Sequence, residues 1–253
     1  MVGDYVENAF GGRFFNQGLF EESAVAKHRL GTLRVLDDGR VFAYARAGAD
    51  ALAVGKLVQS PVPEANHDEC VVADTAIGQK RIYITLGATA AAKDLYKDGY
   101  LWINKNTGIG HMYKIRGHAA IDSSGSGYIE LYDAIRVATA SSAEASLIRH
   151  PQDGLIIHPS PPTAGIAGVP PIAVTALYYF WNQVKGPCSI LTEGTLVIGN
   201  TCVPSASADG AVAPPALTEA TPNTGLGQLI CGQVLRVNVT TEYSIINLKI
   251  PGY

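Results

Sequence analysis

Asp38-Gly39 stands between two runs whose side chains alternate with a period of two, which commits this stretch to a β-hairpin. On one side Leu33, Val35 and Asp37 alternate with Arg34 and Leu36; on the other Val41, Ala43 and Ala45 alternate with Phe42, Tyr44 and Arg46. Aspartate and glycine tolerate the positive φ that both central residues of a type I′ turn require, so that turn is expected here. A period of two puts Phe42 and Tyr44 on the same side, giving the hairpin an aromatic face. The chain then passes through Ala47-Gly48-Ala49-Asp50 into a small-residue segment ending at Lys56-Leu57-Val58.

The remaining pattern is of the same kind. Lys80–Leu86 alternates Arg81, Tyr83 and Thr85 against Ile82 and Ile84, and a shorter β-like run begins at Cys70. Tyr100–Asn104 and His111–Arg116 flank Lys105–Gly110 as a second hairpin; Tyr128–Tyr132 and Ala134–Ala138 follow a Ser/Gly-rich tip. Ala88–Lys97 reads as a helical turn or an ordered loop. Further strands are expected at Val174–Val184, Ser189–Thr192, Thr195–Ile198, Gly210–Ala213, Leu229–Asn238 and Ser244–Ile250. Both faces of Tyr178-Tyr179-Phe180-Trp181 are aromatic, as in a central strand packed on two sides; a sugar-binding platform would use the same residues. Short strands with turn signals about every 8 to 12 residues predict an all-β fold, a β-sandwich or open barrel of antiparallel strands with little helix.

Residues 1–29 break that rhythm. They hold Phe10, Phe14, Phe15 and Phe20, four of the six phenylalanines of the chain, whereas a disordered tail is poor in such residues. An extended N-terminal arm either lays these rings into a neighbouring molecule or folds back on its own domain. Glu21–Arg29 has the composition of a short helix with a basic C-terminal end. The organisation expected is an arm at 1–29, a β-rich region at 30–158, a Pro/Gly-rich connector at 159–171 and a second β-rich region at 172–253. The two β-rich regions form one domain or two.

The 253 residues include only 16% charged side chains, against roughly 25% in ordinary globular chains. Between Gly154 and Leu235 there are four: Lys185, Glu193, Asp209 and Glu219. That stretch is either covered by another subunit or kept wet by its Ser, Thr and Asn. With a net charge of −3 and no Lys/Arg cluster, neither nucleic acid nor an anionic membrane is expected as a partner. Met1–Glu7 lacks the basic and apolar regions of a secretory leader, and no run reaches the length of a membrane span. Cys70, Cys188, Cys202 and Cys231 show no CxxC pair; they read as buried thiols, with a Cys188–Cys202 disulfide left open.

Residues suited to catalysis do not assemble into a recognisable pattern. Gly125-Ser126-Gly127 lacks the nucleophile-elbow spacing, and Gly108-x-Gly110 lacks the third glycine of a dinucleotide loop. His67-x-x-Cys70 is half a metal site without a second half. His111 and His118 would need to meet across adjacent strands, and Asp122, Glu130 and Asp133 are the nearest thing to a glycosidase pair. Asn238-Val239-Thr240 is a formal glycosylation sequon within an expected strand. No enzyme activity, cofactor or metal is expected.

Two stretches resemble small structural proteins of tailed-bacteriophage virions, the capsid decoration or cement proteins. One is Asp38-Gly39-Arg40-Val41-Phe42-Ala43-Tyr44-Ala45-Arg46-Ala47-Gly48, followed by Ala51-Leu52-Ala53-Val54-Gly55-Lys56-Leu57. The other runs from Tyr178 to Pro187 (YYFWNQVKGP) and is followed by Gly194-Thr195-Leu196-Val197-Ile198-Gly199. Gly99-Tyr100-Leu101 and Gly108–Ile115 fit between them. The resemblance implies a virion protein on the outer capsid surface, assembled in the host cytoplasm. It implies as partners the major capsid protein and further copies of itself, as a homotrimer. Phe10, Phe14, Phe15 and Phe20 are then the candidate partner-binding residues. A glycan- or receptor-binding module of a fibre or spike is the alternative reading.

Overall fold

A computed structural model describes residues 15–215 and 229–253. Among them the fold is nearly all β, with sheets curled toward a half-barrel and a near-closed barrel. The expected fold class holds. The strands are β1 (Leu33–Val35), β2 (Val41–Ala47), β3 (Val58–Gln59), β4 (Cys70–Val71), β5 (Arg81–Thr85), β6 (Tyr100–Lys105), β7 (Met112–His118) and β8 (Ser126–Leu131). They continue as β9 (Glu144–Ile148), β10 (Asp153–Ile157), β11 (Ile166–Gly168), β12 (Tyr179–Leu191), β13 (Thr201–Pro204), β14 (Val212–Ala213), β15 (Gly232–Arg236) and β16 (Tyr243–Lys249). A single 3₁₀ turn, Ala65–His67, is the helical element among the described residues, and none there is long and apolar enough to cross a membrane.

The chain forms two compact units, and the first is discontinuous: residues 1–61 with 152–253, and residues 62–151. These limits differ from those expected from sequence, because the Pro-rich stretch His158–Pro171 lies inside the discontinuous unit and supplies β11 to its sheet. In that unit the strand order is β11-β3-β10-β2-β12-β16-β15-β13-β14, with β1 paired to β2. Nearly all neighbours are antiparallel. The exception is β10 against β2, where the chain returns after the 62–151 excursion and sets Asp153 against Arg46; parallel pairing needs a long connection of this kind. Arg46 and Asp153 close that seam with two charge-assisted hydrogen bonds of 2.6 and 3.0 Å.

The second unit is a six-stranded sheet in the order β4-β9-β6-β7-β8-β5. Alternation explains its core: Ile82 and Ile84 of β5 point inward with Leu101, Ile103, Ile115 and Ile129, while Arg81, Tyr83 and Thr85 face out. The ends of the sheet approach each other through a Val72–Ile84 bridge.

Local expectations fared unevenly. The first hairpin forms, yet its turn is not type I′: Gly39 has φ +84° while Asp38 does not enter the positive-φ region. Gly39 N–H donates to the Leu36 carbonyl and Leu36 N–H to Arg40, so the loop has three residues, Asp37–Gly39, with glycine in the left-handed position. Glu21–Arg29 is not helical; Ser23 instead exchanges backbone hydrogen bonds with Tyr179. Ala88–Lys97 forms turns, and neither Ala134–Ala138 nor Thr195–Ile198 is a strand. Only Tyr179–Val184 of the first expected strand is extended, Val174–Tyr178 being a bridge and a turn, and it merges with Ser189–Leu191 into β12 because Lys185–Cys188 keep the pairing with β16 unbroken.

Candidate partner-binding site

The described part of the N-terminal segment is seated on β2 and β12. Register places Trp181 opposite Tyr44 and Gln183 opposite Phe42, so the aromatic face of the hairpin continues across the sheet. Phe42, Tyr44 and Trp181 are fully buried there together with Leu19. Tyr44 meets Trp181 edge-on at 5.0 Å and stacks on Tyr179 at 5.9 Å. Such pairs add about 0.5–1.5 kcal/mol each beyond the area they bury.

Gln17 is the polar centre of this contact. Its side-chain amide N–H groups donate to the Glu21 and Tyr179 carbonyls at 2.7 and 3.0 Å. Its side-chain oxygen accepts from the Tyr44 hydroxyl at 2.7 Å. Its own carbonyl accepts from Trp181 Nε1 and Arg34 Nη1, each at 3.2 Å. Tyr44 also accepts from the Lys27 N–H at 3.0 Å, and burial raises its pKa. Farther along, the Glu22 carboxylate accepts from both the N–H and the hydroxyl of Thr175. His28 packs between Phe15, Tyr44 and Trp181; burial, and then the Arg34 charge, push its pKa down.

The four candidate phenylalanines separate here. Phe10 and Phe14 lie outside the described residues. Phe15 meets Trp181 edge-on at 5.1 Å under the Arg34 guanidinium, 5.0 Å from its ring, so it packs on its own chain. Phe20 is turned outward and 58% exposed. Sequence reasoning missed Gln17, which lies in no periodic run, and Arg34, although the hairpin's alternation already sets it on the opposite side of the strand from Leu33 and Val35.

Groupings with catalytic or metal-binding potential are tied up in the fold. Among the described residues no three His, Cys, Asp or Glu side chains converge on a metal position. His67 donates from Nε2 to the Thr89 carbonyl at 2.8 Å, which leaves Nδ1 to accept from the Tyr96 hydroxyl. His118 donates from Nδ1 to the Ala119 carbonyl and accepts the Tyr96 N–H at Nε2. His111 and His118 do not meet across adjacent strands, because His118 ends β7 and His111 immediately precedes the same strand. Glu130 is paired with Arg81 at 3.0 Å. All four cysteines are buried free thiols, so Cys188 and Cys202 are not bridged; burial pushes both up to about 12.

No family model, curated protein or solved structure matches the chain.

Proposed function

We propose that the protein is a structural component of a tailed-phage virion that decorates the outer capsid surface and stabilises the shell by bridging major capsid subunits. The observation that supports this reading most is that the two stretches resembling decoration proteins are neighbours in one sheet. Phe42, Tyr44 and Ala45 of the first stretch lie in register with Gln183, Trp181 and Phe180 of the second. The same face anchors the segment that follows Phe10 and Phe14. The mechanism is multivalent and non-catalytic: an oligomer, in this reading a trimer, engages several shell subunits at once, so modest contacts sum to strong avidity. No nucleic acid, membrane or cofactor takes part.

The test is co-sedimentation of the purified protein with expanded capsids that lack it, beside light scattering of the free protein. Saturable, stoichiometric binding by an oligomer is expected; absence of binding overturns the reading. An arm deletion is best confined to residues 1–14, because removing residues 15–22 would strip Phe15, Gln17 and Leu19 from Trp181.

A glycan-binding role is the second reading, and one surface favours it. On the outer face of β5 and β8, Tyr83 and Tyr128 form an exposed edge-to-face pair at 4.8 Å. The Arg81–Glu130 ion pair flanks them on one side and the Thr85–Ser126 hydroxyl pair on the other. Sugar rings stack on such aromatics, and a glycan screen of wild type against Tyr128→Ala tests it.

A further inference from the structure

The outward face of β12, β16 and β15 carries three cations and several apolar side chains, with the polar Ser189, Asn247 and Gln233 among them and no carboxylate within the three strands. Period-two alternation turns Lys185 of β12 and Lys249 of β16 outward, and the register sets them directly opposite one another. Neither makes an ion pair among the described residues, and both are exposed. Two rows away, a bulge between Val234 and Arg236 sets Leu235 and Arg236 together against Ile245. Both point outward, beside Ile245 (38% exposed) and Tyr243 (39%), with Leu235 at 43%.

This arrangement is not what stability alone selects. Like charges directly opposite in a sheet repel, and outward apolar residues contribute little to the core. A bulge that turns both an apolar and a cationic residue outward adds to the same surface. The charge is one-sided: Lys185, Lys249 and Arg236 on the face, while the nearest acidic residue along these strands, Glu242, stands just outside β16.

We propose that this face docks a carboxylate-bearing protein surface, with Ile245, Leu235 and Tyr243 at the centre and the three cations as its rim. The occupant is the outer surface of the shell subunit, so this inference rests on the decoration reading. Charge complementarity selects the partner: acidic side chains relieve the Lys185–Lys249 repulsion, and the apolar row supplies the desolvated centre of a protein interface. Phosphate-rich partners are disfavoured, since nucleic acid binding calls for a denser cationic track than three charges beside an apolar row.

The experiment is capsid co-sedimentation across a salt series with wild type, K185E/K249E and the milder K185Q/K249Q, each first shown to melt as wild type does. Wild-type affinity is expected to fall with salt, and the charge-reversed variant to bind about tenfold or more weakly, with the neutral variant between. Wild type that binds equally well as K185E/K249E overturns this inference and leaves the decoration reading intact. Wild type that does not bind capsids at all overturns both. Flotation with phosphatidylglycerol vesicles completes the series: lysine-dependent vesicle binding by wild type overturns the assignment to a protein partner.

Discussion

The phenolic hydroxyl of Tyr44 donates to the side-chain oxygen of Gln17 across 27 positions of sequence, at 2.7 Å and out of contact with water. This bond and the Trp181 N–H to the Gln17 carbonyl hold the N-terminal segment on β2 and β12. Gln17→Ala leaves the Tyr44 hydroxyl and the Tyr179 carbonyl without that partner, at a cost of about 1–3 kcal/mol. Urea unfolding checks the magnitude. Limited proteolysis of the folded variant is expected to cut faster within residues 15–28 than in wild type.

Phe15 and Phe20 separate packing from presentation. Phe15→Ala removes a ring that lies between Trp181 and Arg34, and is expected to cost about 1–3 kcal/mol, below a fully buried site because Phe15 is partly exposed. Phe20→Ala, on an outward ring, is expected to stay within about 0.5 kcal/mol of wild type. If Phe20 contacts a partner, capsid affinity falls in Phe20→Ala with its melting temperature unchanged. Equal destabilisation by the two substitutions would contradict the packing described.

What could be read from the sequence follows from which signals are local. The alternation of Arg81–Thr85 and of Ser244–Lys249 announces both strand and inward face, because a half-buried sheet writes its period directly into the chain. Tyr179–Trp181 announces a central strand for a different reason: both of its faces are aromatic, as a strand covered on two sides requires. The turn at Asp38-Gly39 was mistyped because the dipeptide suits both a two-residue loop and the end of a three-residue one, and only the backbone bonds decide. Unit boundaries were not legible: β10 joins β2 after an excursion of about a hundred residues, and such pairing leaves no local mark. Gln17 escaped notice because its partners come from distant positions.

Gly55 and Gly39 both adopt left-handed backbone, at φ +68° and +84°, yet they differ in surroundings. A Cβ on Gly39 would meet nothing within 4 Å, whereas one on Gly55 would lie 2.6 Å from the Tyr243 ring and 3.1 Å from the Ser189 carbonyl. Gly39→Ala therefore carries the backbone cost alone, about 1–2 kcal/mol. Gly55→Ala adds displacement of Tyr243 and of its hydroxyl bond to the Val54 carbonyl, so a loss of about 2–4 kcal/mol is expected. Equal melting temperatures for the two variants would show that Tyr243 yields without cost.

Acid is expected to destabilise this fold through two buried histidines. His118 accepts the Tyr96 N–H at Nε2, so a second proton there would face a donor. His158 is fully buried, and neither ring nitrogen has a hydrogen-bond partner among the described residues. Burial holds both pKa values below the ordinary 6.5. The unfolded chain therefore binds more protons than the folded one below about pH 6.5. Their contribution is complete above that pH, declines as pH falls through it, and levels off beneath the folded pKa values. Calorimetry between pH 7.5 and 5 is expected to show a falling melting temperature, with the slope reduced in His158→Leu, which buries no ionisable group. A melting temperature that holds constant over that range in wild type would mean that these rings are protonated in the fold at no cost.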